Sequence, residues 1–161
     1  MPAQQAMTVL APMTDADFAI FRAAAVTGYA AEKVASGQWS PAQSLELSRK
    51  NFDELLPEGL NTVDHYLYCV LDAQGQTVGT LWIAAKEQAG KRIAYIYDIE
   101  IRSEHRRRGH AARALGAAED EARRLGLCGI GLHVFGHNTG ARALYEALGY
   151  RTTNINMFKP L

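Results

Sequence analysis

Helical spacing of apolar residues marks the first third of the chain. Phe18, Phe21, Ala25 and Tyr29 follow one another at intervals of three or four, which predicts the buried face of an amphipathic helix. Thr14 precedes this segment, and an acidic residue follows Thr14 three positions later. That pair is typical of a helix N-terminus, so we expect the helix to begin just after Thr14.

A second helical segment follows Gly37. Ser40 is a good capping residue and Pro41 suits the first helical position, so the sequence predicts a helix that begins there and ends before Pro57. The expected inner face is apolar: Leu45, Phe52, Leu55 and Leu56.

The pattern then changes to the alternation and residue types of strands. Residues 8–11 form a short apolar segment that predicts an edge strand, and residues 65–72, 77–86 and 92–101 predict three longer strands joined by short turns. Short connections favour an antiparallel meander. The last of these strands is apolar almost throughout, which indicates a central position in the sheet.

Helical spacing returns after residue 110 and ends at Gly126. A strand over 129–135, a short helix over 138–149 and a last strand over 150–158 follow. We therefore expect one α+β domain over residues 1–161, with a central, mixed but mostly antiparallel sheet flanked by helices.

Composition excludes several classes of protein. Seventeen basic residues balance seventeen acidic ones, so no overall field attracts nucleic acid or a membrane surface. Cys69 and Cys128 are far apart and show no metal-ligand spacing; we expect buried free thiols and no metal. The first residues lack the pattern of a signal peptide, and no segment reaches the roughly 18 apolar residues of a membrane span. These features predict a cytoplasmic protein without membrane or nucleic-acid partners.

A run of three arginines stands between the predicted central strand and the next helix. Arg106, Arg107 and Arg108 are followed by Gly109, His110 and two alanines. The first turn of a helix carries unpaired N–H groups and the positive end of the helix dipole, and glycine lets an anion approach them. This context favours a phosphate-binding turn over a nucleic-acid patch or a merely solvated charge run.

Two segments resemble motifs of the GNAT superfamily of N-acetyltransferases. Residues 106–111 resemble the family's R/Q-x-x-G-x-G/A signature, and Ile99 and Ile101 resemble the strand positions before it. Residues 132–150 resemble the second motif, with matches in order at Asn138, Leu144, Tyr145, Gly149 and Tyr150.

The resemblance implies acetyl-CoA as cosubstrate and direct transfer of its acetyl group to a primary amine, on a small molecule or on a protein. Main-chain groups of Ile99, Glu100 and Ile101 would contact the pantetheine and acetyl carbonyl. The turn would hold the pyrophosphate through Arg106, Arg107, Arg108, Gly109, His110, Ala111 and Ala112, and Asn138 would contact the pantetheine arm.

Catalysis needs a neutral amine and a proton for the leaving thiolate. Tyr145 matches the family position whose hydroxyl acts as general acid. For the base the sequence leaves Glu100, His133 or a water open. Asp98 shares the strand face of Glu100, and two neighbouring carboxylates raise each other's pKa.

The acceptor and the oligomeric state stay open at this stage. The resemblance implies that the first two helices and the loop between them frame the acceptor side, a region that includes Trp39 and Glu32. Trp39 is a candidate for cation–π contact with the acceptor amine, and Glu32 is a candidate for pairing with its charge. The alternative function is an acyl-CoA-binding or sensor domain without turnover. The predicted last strand offers an edge for a homodimer.

Overall fold

The computed structural model describes residues 8–161. The strands in this range are β1 (Val9–Pro12), β2 (His65–Leu71), β3 (Thr77–Gln88), β4 (Lys91–Ile101) and β5 (Ile130–Leu132). The α-helices are α1 (Asp15–Ala35), α2 (Ser44–Leu55), α3 (His110–Arg124) and α4 (Thr139–Ala147), and short 3₁₀ turns occupy Gly59–Asn61 and Ser103–His105. The first residues, on which the signal-peptide prediction rests, lie outside the described range.

The strands form a single sheet in chain order, β1-β2-β3-β4-β5. The first three pairs are antiparallel, and β5 lies parallel to β4. A parallel neighbour requires a crossover, which α3 supplies. The predicted α+β class, with a mixed and mostly antiparallel sheet between helices, is therefore confirmed.

Both faces of the sheet are covered. Adjacent residues of β3 point to opposite faces, as a strand requires, so Leu81 packs on the α3 side and Trp82 packs on the α1 and α2 side. Leu115, Ala118 and Ala122 of α3 are buried against the first face, as their spacing predicts. These two layers fix β4 between helices on both sides.

The two N-terminal helices differ in how well their beginnings follow the sequence. Thr14 caps α1, and its side chain and that of Asp17 bond to each other's backbone N–H groups, as predicted. The second helix does not begin at Ser40. It begins at Ser44, whose hydroxyl donates to the carbonyl of Pro41 (3.1 Å), because the chain makes a turn there first.

The inner face of α2 is also more polar than predicted. Leu45 is exposed, whereas Ser48 is fully buried and donates a 2.7 Å hydrogen bond to the carbonyl of Val26 on α1. Since this hydroxyl finds a backbone acceptor, its burial carries little cost. Phe52 is buried as expected.

Three further expectations need correction. The strand predicted over 150–158 is absent: residues 148–161 contain no helix or strand, and residues 151–161 are exposed, so no neighbouring backbone pairs with them. The strand predicted over 129–135 shortens to β5, because its pairing with β4 ends at Leu132. Cys69 is buried, but Cys128 is exposed; both thiols are free.

Among residues 8–161, no helix is long and apolar enough to cross a membrane.

Candidate functional site

The sheet opens where β4 and β5 part. Their register pairs Ala94 with Ile130 and ends with Ile96 opposite Leu132, yet β4 continues to Ile101. On the other side, β4 stays paired with β3 up to Ile101. Residues 97–101 therefore present one edge of their backbone to the gap beyond β5. Ile99, Glu100 and Ile101 border this gap, and they are the strand positions predicted to contact the cosubstrate.

A β-bulge lies at the start of this gap. In the pairing of β3 with β4, Ile83 lies opposite Ile96 and Trp82 lies opposite Asp98, so Tyr97 is the extra residue. A bulge bends its strand and changes where the following side chains point. The bulge separates the fully paired part of β4 from the open part.

The turn after β4 has the backbone geometry of an anion-binding site. Arg107 and Gly109 both adopt left-handed conformations, with φ of 62° and 79°. The first helical hydrogen bond of α3 is donated by the Arg113 amide to the Gly109 carbonyl (3.1 Å). The amides of His110, Ala111 and Ala112 precede it, where helix amides have no intrahelical acceptor. The predicted phosphate-binding residues therefore form one helix N-terminus.

Arg113 adds a positive charge that the sequence interpretation missed. A Cβ placed on Gly109 would lie 2.8 Å from an Arg113 guanidinium nitrogen. The guanidinium also donates to the carbonyl of Arg108 (2.8 Å) and to the hydroxyl of Thr8 (2.9 Å). In the sequence, the only indication of this role is that Arg113 follows Gly109 by one helical turn.

His110 is buried, although the sequence allowed a phosphate contact by its side chain. Its Nδ1 lies 3.2 Å from the Arg113 guanidinium. Burial, and then the charge of Arg113, lower the pKa of His110, so the neutral ring can accept a hydrogen bond from Arg113. The His110 side chain therefore positions Arg113.

The three arginine side chains are exposed but are not equivalent. Arg106 donates from Nε to the carbonyl of Ile101 (2.8 Å) and lies 3.6 Å from the carboxylate of Glu100. It therefore links the turn to the open end of β4. Arg107 contributes its left-handed backbone, and Arg108 holds Arg113 through its carbonyl.

Two carboxyl groups of β4 face α1, where they line a cavity of about 200 Å³ together with Asp17, Phe21 and Thr80 among others. Asp98 is half-buried, whereas the Glu100 side chain is 59% exposed. Burial, and then the charge of Glu100, raise the pKa of Asp98 to about 7. Asp98 can therefore exchange a proton near neutral pH. The sequence alone did not identify Asp98 as a candidate base.

Tyr145 is the predicted general acid. It lies on α4, packs against the α3-side core and is half-buried. Burial, and then the charge of Asp98, raise the pKa of Tyr145, so its hydroxyl keeps its proton at neutral pH. This effect of Asp98 on the pKa of Tyr145 indicates that the two side chains lie near each other.

His133 and Asn138 lie in the segment from β5 to α4. His133 is exposed, and its ring packs edge-on against Phe135 at 5.0 Å between centroids. Phe135 in turn stacks on His137, whose Nε2 lies 2.5 Å from the carboxylate of Glu32 on α1. This row connects the segment to α1 along one side of the gap.

Asn138 caps α4, and its side-chain oxygen accepts a hydrogen bond from the Ala141 amide (3.2 Å).

Trp39 contacts Tyr29 edge-on (5.5 Å between centroids), and the ammonium of Lys33 lies over both rings. The cation–π site considered for the acceptor amine is therefore occupied by the protein's own Lys33.

Within residues 8–161, no group of three or more His, Cys, Asp or Glu side chains is arranged to hold a metal ion.

A family model described as the acetyltransferase (GNAT) family matches residues 31–150. This range covers both motifs, the gap, the turn and α4. The chain belongs to the GNAT family of acetyltransferases. The strand, turn and α4 residues of the site lie within this range, whereas Asp17 and Phe21 of the cavity precede it.

Relatives of similar length support this membership in the GNAT family. The uncharacterized N-acetyltransferase YycN of Bacillus subtilis (strain 168) is 38% identical over 156 residues, 96% of this chain and all of YycN. The uncharacterized N-acetyltransferase YdgE of the same organism is 34% identical over 152 residues, 94% of this chain and 97% of YdgE.

Solved structures share the fold of this GNAT chain. The crystal structure of YycN from Bacillus subtilis superposes with a TM-score of 0.92 at 38% identity, covering 96% of this chain and 98% of that one. An acetyltransferase structure from Pyrococcus furiosus gives 0.70 at 23% identity, covering 96% and 99%, which supports the fold alone.

Proposed function

We propose that the protein transfers an acetyl group from acetyl-CoA directly to a primary amine on a small molecule or a protein. One observation carries the proposal. The gap that opens beyond the Ile96–Leu132 pair runs along β4 to a helix N-terminus whose turn has two left-handed residues. In this arrangement an open strand edge leads to an anion-binding turn. A ligand with an extended arm that is joined to a pyrophosphate fits the arrangement.

The residues present fit acetyl-CoA, which supplies an activated thioester when bound. The backbone of Ile99, Glu100 and Ile101 would bind the pantetheine and orient the acetyl carbonyl. The amides of Gly109 to Ala112 would hold the pyrophosphate, with Arg113 and the neighbouring arginines adding charge. Asn138, which lies where the gap meets α4, remains our prediction for the pantetheine arm.

Asp98 is the base that we propose. An alkyl ammonium has a pKa of about 10 and must lose a proton before it can attack a carbonyl. With its pKa raised to about 7, Asp98 is partly ionised near neutral pH and still basic enough to accept that proton. The cavity of about 200 Å³ on its α1 side gives the acceptor amine room to approach.

Tyr145 is the acid that we propose. Its hydroxyl keeps a proton because burial raises its pKa, and it would donate that proton to the leaving thiolate. Glu100 and His133 stay predictions as alternative bases. Glu100 is less suited to the role because it is exposed and lies beside Arg106.

Binding and turnover can be tested separately. Calorimetry with coenzyme A is expected to show micromolar binding, and incubation with acetyl-CoA and a panel of primary amines is expected to release free thiol. Absence of coenzyme A binding contradicts the proposal. Binding without thiol release for any amine favours the alternative, an acyl-CoA-binding or sensor domain.

We also propose a cytoplasmic location, without nucleic-acid or membrane partners. Two free thiols, one of them exposed, suit a reducing compartment. Balanced charge gives no general attraction for nucleic acid.

A further inference from the structure

Arg102 carries a guanidinium group that the proposed chemistry does not use. Arg102 follows β4 directly, and its amide donates to the carbonyl of Val78 (2.9 Å), so the residue continues the register of the strand. Its side chain lines the cavity of about 200 Å³ that Asp98 and Glu100 also line. Residues 98, 100 and 102 therefore share one face, as strand alternation requires.

The guanidinium of Arg102 has no ion-pair partner in the part of the chain that the structure describes. Arg22, Arg92 and Arg106 each pair with a carboxylate, whereas the Arg102 side chain forms neither an ion pair nor a hydrogen bond with residues 8–161. Arginine presents five N–H donors in a planar fork that matches a carboxylate. Arg102 thus brings to the cavity a charge and a set of donors that no described protein group uses.

The acidic side chains of the cavity are already engaged. Asp17 accepts hydrogen bonds from the Thr14 amide (2.9 Å) and hydroxyl (2.7 Å) through its Oδ2. These hydrogen bonds, and to a smaller extent the charge of Arg102, lower the pKa of Asp17, so Arg102 lies near Asp17 without pairing with it. Glu100 lies beside Arg106. Since Asp98 is assigned to proton transfer, Arg102 is left to bind a ligand.

The size and the walls of the cavity suit a small ligand with methylene groups. Its volume of about 200 Å³ lies below the roughly 300–1,000 Å³ of pockets for drug-sized ligands. At about 30 Å³ per water molecule, it has room for roughly seven waters, or for a ligand with about as many non-hydrogen atoms. Ile20, Phe21 and Ala24 of α1 form an apolar part of the wall, against which methylene groups can pack.

We propose that the acceptor is a small ω-amino acid, whose amine reaches Asp98 and whose carboxylate pairs with Arg102. This inference rests on the proposed function and names the substrate class of the same site. Asp98 and Arg102 are four residues apart on an extended chain, so their Cα atoms are separated by roughly 13 Å.

This separation favours an ω-amino acid over an α-amino acid. The amine and the carboxylate of an α-amino acid share one carbon, and they would reach both protein groups only if Arg102 leaned along β4 towards Glu100. Glu100 pairs with Arg106 instead. An acceptor with several methylene groups between its two charges therefore fits the site better.

The acceptor carboxylate takes no part in the bond changes. The amide bond forms at the acceptor nitrogen as the thioester C–S bond breaks, Asp98 takes the amine proton, and Tyr145 supplies a proton to the leaving thiolate. Arg102 acts in binding and orientation only. Its loss is therefore expected to raise KM more than it lowers kcat.

The first experiment compares acceptors with the same four-carbon chain: γ-aminobutyrate, n-butylamine and putrescine. Opposite the amine they carry a carboxylate, a methyl group and a second ammonium. In thiol release from acetyl-CoA, kcat/KM is expected to be at least about tenfold higher for γ-aminobutyrate than for the other two. Equal values for γ-aminobutyrate and n-butylamine, a preference for putrescine, or an equally high value for glycine overturn the proposal.

The second experiment changes the proposed carboxylate-binding residue. Arg102→Gln is expected to raise KM for γ-aminobutyrate about tenfold and to abolish its advantage over n-butylamine, whereas Arg102→Lys keeps the charge and is expected to retain part of it. Arg49→Gln is the matched control, because Arg49 is exposed on α2 and does not line the cavity. If Arg102→Gln lowers the rates with both acceptors equally, Arg102 has a structural role and the proposal is wrong.

Calorimetry separates this inference from the proposed function. Titration of γ-aminobutyrate into the protein saturated with coenzyme A is expected to show binding that Arg102→Gln weakens and Arg49→Gln does not. Coenzyme A binding and thiol release with other amines, without binding of γ-aminobutyrate, overturn the acceptor class and leave the acetyltransferase proposal in place. Absence of coenzyme A binding contradicts the acetyltransferase proposal, and this inference then fails with it.

Discussion

At the scale of single residues, the environment of a carboxyl group decides its chemistry. Residues 98 and 100 share a face of β4, as strand alternation predicts. The sequence cannot show that Asp98 is half-buried whereas Glu100 is exposed, because burial depends on α1 and on the parting of β5. The proposal of Asp98 as the base therefore rests on the tertiary structure.

Asp98→Asn tests the proposed base through the pH dependence of catalysis. The base works when ionised, so kcat/KM of the unaltered enzyme is expected to rise with pH and level off above a pKa of about 7. The variant is expected to lose about 10²–10⁴-fold in kcat/KM and to lose that pH dependence. Rates of thiol release over a pH series provide the measurement.

The same substitution has a calculable effect on stability. Asp98 titrates at about 7 when folded and near its ordinary value of 3.8 when unfolded, so the folded state binds the proton more tightly. The contribution of Asp98 to the free energy of unfolding is therefore greatest below pH 3.8, and it is lost as the pH rises towards about 7. Asp98→Asn is expected to gain stability relative to the unaltered protein over this interval, measured by thermal unfolding.

Glu100→Gln is the matched control, since it changes a carboxyl group on the same strand face. It removes a charge that raises the pKa of Asp98, so the midpoint of the pH–rate profile is expected to move down while most activity remains. If Glu100→Gln abolishes activity and Asp98→Asn does not, Glu100 is the base and the assignment of Asp98 is wrong.

At the scale of elements, short sequence signals succeed when the contacts that they imply are local. Thr14 and Asp17 predict the start of α1 because both partners of the capping box lie within four residues. Ser40 and Pro41 fail to predict the start of α2, because the chain turns there before Ser44 begins the helix. The segment 150–158 fails for a similar reason: its residue types suit a strand, but pairing depends on a distant partner.

Gly109→Ala tests the turn at the start of α3. A left-handed conformation costs a residue with a Cβ about 1–2 kcal/mol, and the new methyl group would displace the Arg113 guanidinium. We expect coenzyme A to bind at least about tenfold more weakly. A tenfold loss of affinity corresponds to about 1.4 kcal/mol, which is similar to the cost of the left-handed conformation. Calorimetric titration gives the affinity.

Gly116→Ala is the control in the same helix. Gly116 has open space around its Cβ position and no left-handed φ, so alanine is expected to stabilise α3 by about 0.5–1 kcal/mol without changing coenzyme A affinity. Equal affinity losses in both variants would mean that the turn has no special role in binding.

At the scale of the whole molecule, the sequence predicts the architecture well because hydrophobic periodicity encodes it. The meander, the crossover through α3 and the two covered faces all follow from which positions are apolar. The gap between β4 and β5 does not, since residues 133–135 are as strand-like as those of β5. Their departure from β4 follows the bulge at Tyr97, which depends on the register with β3.

The two packed faces share β3, so they are expected to unfold together. Leu81 and Trp82 are both fully buried, on opposite faces. Leu81→Ala removes contacts on the α3 side only and is expected to cost about 2–5 kcal/mol. Because one strand supports both layers, a spectroscopic signal from the other face should report the same loss of unfolding free energy.

Trp82 supplies that signal. In a Trp39→Phe background it is the single tryptophan of the chain, and its fluorescence reports the α1 and α2 side. Denaturant unfolding followed by Trp82 fluorescence and by far-ultraviolet circular dichroism is expected to give coincident midpoints, both lowered by Leu81→Ala. A midpoint by circular dichroism that falls while the fluorescence midpoint stays would show that the layers unfold separately.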